Sequence, residues 1–184
     1  PKTHKTLSEV VEHKLPLRGE VKMIMFQICS ILNSLHKQGI AHKALNLSNI
    51  LLSDSFQITI SKLGAQQQFA PGAFDQYEKR MQIHFLNGFK VIDQNPLYCA
   101  PEMFLERQID WQKADVYATG VVFYVLLFRK FPFSCLQYAG LKQLVTEGEL
   151  CTQQKISLSG AEEELVRGML EKDDTKRWSF EECL

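Results

Sequence analysis

From Ala114 to Phe128 the sequence is apolar on nearly every side, and Val121 to Phe128 is an unbroken apolar run. A surface helix carries one apolar stripe; a helix that is apolar all round has to be wrapped by other elements. The run falls far short of the ~20 residues that span a bilayer. It therefore predicts a helix at the centre of a globular domain, ended by Arg129-Lys130 with Pro132 beyond. A chain of 184 residues, 45% apolar and 23% charged, is long enough to surround such a helix within one domain, and a single domain over 1–184 is expected.

The wrapping elements can be read on both sides of it. Leu7 to His13 is a short amphipathic helix stopped by Pro16. Val21, Ile24, Ile28, Ile31, Leu32 and Leu35 recur at three- and four-residue spacing, which predicts a long helix with one buried stripe, closed by Gly39. Asn49 to Leu52 and Gln57 to Ile60 are β-rich runs on either side of Ser53-Asp54-Ser55, a hairpin pattern. Residues 61–101 show no sustained periodicity and predict one long loop. Leu136 to Val145 is a further helix. Ser159 with Glu162 forms a capping-box pattern ahead of Leu165, Val166, Met169 and Leu170. The fold class is mainly α, with a small β-hairpin.

Charge narrows the function. Lys plus Arg and Asp plus Glu are 21 each, a net charge of zero, so the basic excess that displaces counterions from nucleic acid is lacking. Neither nucleic acid nor a membrane is expected as a partner. No basic stretch followed by an apolar core opens the sequence, so no secretory signal is expected. Cys29, Cys99, Cys135, Cys151 and Cys183 are odd in number and widely spaced. That pattern points to reduced, mostly buried thiols and a cytoplasmic setting. The sequence starts at Pro1 and stops at Leu184 inside a helical pattern, as a piece of a longer protein would.

Five segments, in order, carry a resemblance. His42-Lys43-Ala44-Leu45-Asn46-Leu47-Ser48-Asn49, followed by Ile50, Leu51 and Leu52, resembles the protein-kinase catalytic loop HRDLKxxN with its apolar tail. Lys62-Leu63-Gly64 lies where that family has DFG. Asn95 to Glu102 resembles the end of an activation segment, TPxYxAPE, and Asp115 to Gly120 resembles DVWSxG. Arg177 matches the arginine that pairs with the glutamate of APE. The sequence is thus similar to the large C-terminal lobe of a protein kinase, with a long activation-segment-like loop. The Gly-rich loop, strand lysine and helix glutamate of the small lobe do not occur in it.

The resemblance implies roles residue by residue. Ala44 stands where the family's proton-accepting aspartate would be, Asn46 where a cation steadies the transferring phosphate, and Lys62 where an aspartate holds metal; no catalytic residue is expected. Asn49 is retained as a metal ligand, and Asn49, Leu51 and Lys62 are the candidate nucleotide contacts. Unit charges ~4 Å apart at an effective dielectric of ~20 interact by about 4 kcal/mol, so an ammonium in place of a carboxylate turns attraction for magnesium into repulsion. Lys62 is expected chiefly as a solvated lysine, with a direct phosphate contact as the alternative. Lys43 replaces an arginine and cannot form its bidentate fork. His42, Leu63, Glu102, Asp115 and Arg177 are expected to be structural: Leu63 in an apolar spine with His42, Asp115 on the loop backbone, and Glu102 paired with Arg177.

Between Gly64 and Asn95 there is no Ser or Thr; Tyr77 is the only hydroxyl, and Phe69, Phe74, Phe85 and Phe89 are expected to pin the segment to the lobe or to meet a partner. The reading that follows is a pseudokinase, a catalytically inactive protein-binding scaffold or allosteric regulator whose partners include signalling proteins. ATP is not required, and any bound ATP is expected without magnesium. The alternatives are a Ser/Thr-type kinase with a rearranged site, using a base such as Asp54 or Asp93, or an ATP-binding switch.

Overall fold

The computed structural model describes residues 4–14, 16–64, 95–105, 107–150 and 158–184. Its centre is the predicted apolar helix, α4 (Trp111–Phe128), buried at every residue from Ala114 to Phe128. Asp110 begins it by accepting from the backbone N–H of Gln112 at 2.9 Å and of Lys113 at 3.2 Å, satisfying two amides that have no partner within the helix. Arg129 ends it in the left-handed region at φ 53°.

Helices α1 (Leu7–His13) and α2 (Arg18–His36) come before it. Thr6 and Glu9 cap α1 reciprocally. The stripe expected on α2 is buried at Val21, Ile24, Ile28 and Leu32, with Met25 and Cys29 filling beside it. Beyond His36 the chain reverses through Gly39, whose φ of 75° favours glycine. The hairpin forms as β2 (Ile50–Ser53) and β3 (Ile58–Ile60), and a third strand, β1 (His4–Thr6), adds antiparallel to β2 with Thr6 opposite Leu51. At three residues, β1 is too short to show an alternation pattern.

The second half holds α3 (Pro101–Phe104), α5 (Tyr138–Thr146), α6 (Gly160–Met169) and α7 (Phe180–Cys183). The Ser159–Glu162 capping box is present, with Ser159 N–H donating to Glu162 Oε2 at 2.9 Å. Helices α4 and α6 approach closely at Gly120, where a Cβ would lie 2.8 Å from that of Met169. Most of the long loop, with Tyr77 and its four phenylalanines, lies outside the described residues. Its last part is a 3₁₀ turn, Asn95–Tyr98, running into α3; single turns are below what periodicity detects. Cys29 and Cys99 are buried free thiols, and Cys135 and Cys183 are half-buried ones; Cys151 is outside the described residues. Burial pushes the Cys183 thiol up to about 12. Among the described residues no helix is long and apolar enough to cross a membrane.

Candidate active site

The loop 42–49 runs from the end of α2 into β2, and its backbone is bonded from several sides. Asp115, buried on α4, accepts from the backbone N–H of His42 at 2.6 Å and of Lys43 at 2.8 Å, one to each carboxylate oxygen. His36, in the last turn of α2, brings its Nε2 to 3.0 Å from Asp115 Oδ2 and rests its ring 4.9 Å from that of Phe180. The aspartate therefore ties α2, α4 and the loop together.

The His42 ring settles its own protonation. Nε2 lies 2.9 Å from Ser61 O and must donate, whereas Nδ1 accepts from Ala44 N–H at 3.2 Å. Both bonds are met by the neutral Nε2–H tautomer alone; a protonated ring would set N–H against N–H. Burial, opposed by the Ser61 carbonyl and Asp115, holds the His42 pKa below the usual histidine value.

Ala44 presents a buried methyl. Its main chain is engaged at both ends, N–H to His42 and carbonyl to Asn49 Nδ2 at 2.6 Å. Asn46 points its Oδ1 at the N–H groups of Ser48 and Asn49, both at 3.0 Å, and so caps the 3₁₀ turn Leu47–Asn49. Ser61 also joins the site: its N–H and Oγ donate to Asn49 O at 2.8 and 3.1 Å. Ser61 and His36 are bonding residues that sequence reasoning missed, and Asn46 was named there only for the cation it replaces. A residue substituted for an expected cation reads as a loss until its cap becomes visible, and His36 is hidden inside a helical pattern.

Lys62 is exposed with φ 61°, Lys43 has φ 67°, and the Lys43 ammonium sits 5.5 Å above the Trp111 ring. Leu63, expected in an apolar spine with His42, is 50% exposed. An apolar side chain needs neighbours on every side to be buried, and none of the described residues closes over it. Leu51 is half-buried on β2. Asp54 is exposed in the β2–β3 turn, at the far end of β2 from Asn49, and Asp93 is outside the described residues.

The expected ion pair is bidentate and buried. Arg177 Nη1 and Nη2 reach Glu102 Oε1 and Oε2 at 2.7 and 2.8 Å. The guanidinium also donates to the carbonyls of Glu171 at 2.7 Å, Lys113 at 3.0 Å and Lys172 at 3.4 Å. A buried guanidinium with all its donors occupied keeps α3, α4 and the segment after α6 in register.

The sequence family described as the protein kinase domain matches residues 2–184. The chain belongs to the protein kinase family. It is 30% identical over 166 residues to the serine/threonine-protein kinase ULK3 of Mus musculus, covering 88% of this chain and 32% of that protein. To the CBL-interacting protein kinase 25 of Oryza sativa subsp. japonica it is 29% identical over 165 residues, 90% of this chain and 30% of that one. It is also similar, at 28% over 178 residues, to a probable myosin light chain kinase of Dictyostelium discoideum, covering 93% of this chain and 52% of the other. The chain thus spans from about a third to about half the length of these relatives.

Kinase chemistry implies magnesium, which takes oxygen ligands, carboxylates above all. At the two positions where the resemblance places the family's metal ligands, this chain offers one neutral oxygen, Asn49 Oδ1, which has no hydrogen-bond partner, and one cation, Lys62. That pair does not fit a divalent ion.

Proposed function

We propose that this protein-kinase-family chain is a pseudokinase: a protein-binding scaffold or allosteric regulator that does not transfer phosphate, working in the cytoplasm on signalling proteins. The observation that carries this reading is Ala44. Phosphoryl transfer depends on a group that accepts the hydroxyl proton and on charge that steadies the phosphate. At Ala44 the side chain is a methyl and both backbone groups are already bonded. Asn46, at the position of the phosphate-steadying cation, uses its carbonyl oxygen as a cap. Any nucleotide is held without magnesium, with Asn49, Leu51 and Lys62 as its contacts. Asp115, Glu102 and Arg177 keep the loop and the lobe in kinase-like shape, which is what a docking module needs.

A second reading is a Ser/Thr kinase with a rearranged site, in keeping with the printed name of the ULK3 relative. The two are separated by incubating the protein, as its gene encodes it, with γ-labelled ATP and a generic acceptor protein. Incorporation no higher than in a heat-killed control is expected. Transfer that depends on the native fold would refute the scaffold reading.

A further inference from the structure

One face of α6 opens into a hollow of about 440 Å³, and its lining follows from the sequence. Gly160, Glu164 and Gly168 are spaced four apart, so they form one stripe along the helix, with Glu171 just beyond its end. The two glycines leave Glu164 standing between gaps. A glycine inside a helix is destabilising relative to alanine. At Gly168 the reason is visible: an added Cβ would run into the Trp178 ring. The indole is therefore seated on bare backbone, and Trp178 N–H donates to Gly168 O at 3.2 Å. Arg177, the residue before, is held by Glu102 and three carbonyls, so the ring emerges from a fixed stretch of chain.

Charge distinguishes this hollow. Both cations that line it are committed, Arg167 to Glu163 Oε1 at 2.9 and 3.0 Å and Lys176 to Asp173 at 3.1 Å. Each pair is neutral. Lys172, next to Glu171, spends its ammonium on the carbonyls of Leu144 and Val145. Glu164 is exposed and has no partner among the described residues, and Glu171 engages only one carboxylate oxygen, with Asp173 N–H at 3.1 Å. What is left over is two carboxylates beside an aromatic ring. Lys43 lies over Trp111, Lys172 over Phe133 and Arg177 over Tyr117. Among the described residues, no cation lies over Trp178.

We propose that this hollow is a docking site for an arginine side chain on a basic segment of a protein partner. A guanidinium is planar and weakly hydrated, so it stacks on the indole while its N–H fork reaches Glu164 and Glu171. A lysine ammonium offers the ring no flat face. Complementarity sets the occupant: an anionic segment would meet the same two carboxylates, and an apolar one would strip them of water. The inference rests on the scaffold reading and deepens it, giving the chemistry of what the scaffold holds.

The test takes the protein as its gene encodes it and a fluorescein-labelled peptide of two arginines among glycines and serines, followed by anisotropy at low salt. The arginine peptide should bind about fivefold or more tighter than its citrulline counterpart, which keeps the shape and loses the charge. It should also outbind the lysine counterpart. Glu164→Lys, on an exposed helix face, should weaken binding by about tenfold or more without moving the denaturation midpoint. In assigned NMR spectra the peptide should shift the indole N–H resonance of Trp178 and leave that of Trp111 in place. Absence of binding, equal binding of the citrulline or lysine peptide, no effect of Glu164→Lys, or an unmoved Trp178 resonance would each overturn the proposal. No ATP is present, so these outcomes bear on the docking site alone, and phosphate transfer in the labelled-ATP assay bears on the pseudokinase reading alone.

Discussion

The two sides of the loop 42–49 are built to different standards. On the side facing α2 and α4 the polar atoms are matched: Asp115 takes the backbone of His42 and Lys43 and meets His36, and His42 is bonded through both ring nitrogens. Set against these are a buried methyl at Ala44, an unpaired oxygen on Asn49 and an exposed lysine at 62. The contrast teaches that the shape of a kinase loop and its chemistry are secured by separate residues.

The contrast predicts an order of mutational effects. Arg177→Met should cost most, about 3–5 kcal/mol in chemical denaturation, because Glu102 would be left charged and buried without its partner; a loss under 1 kcal/mol would mean that the pair is dispensable. Asp115→Asn should cost roughly 2–3 kcal/mol, since an amide group would face a backbone N–H that the carboxylate now accepts. Asn49→Leu should stay within about 1 kcal/mol of wild type, because relief of the orphaned Oδ1 offsets the lost bond to Ala44. If it cost as much as Asp115→Asn, the two sides would not differ as described.

The smallest effect is on pH dependence. His42 has its pKa lowered in the folded state by burial, so below its usual value of 6.5 the unfolded chain binds more protons than the folded one. Its contribution is intact above that value and is lost as pH falls through the lower folded-state pKa. Denaturation midpoints should decline over that window, and His42→Gln should flatten the slope that this residue contributes.

Much of this was legible in the sequence. The long helices were visible because their burial follows a 3.6-residue period or, in α4, fills every position. The ion pair and the Asp115 anchor were visible through family resemblance, because charged residues in kinase-like order have few places to go. What escaped was short or depended on partners. β1 has three residues, too few for an alternation to register. Leu63 was placed beside His42 by the resemblance and is half exposed, since burial is a property of what lies around a side chain.

Arg177 holds its surroundings in a particular way. Apart from Glu102, its hydrogen-bond partners are main-chain oxygens, at Lys113, Glu171 and Lys172. A carbonyl looks the same whatever residue bears it, so these three sites can drift in identity while the clamp persists, provided the chain keeps its path. The architecture of this corner is insured by a single arginine against changes in most of its neighbours, and by the same token has no substitute for the arginine itself.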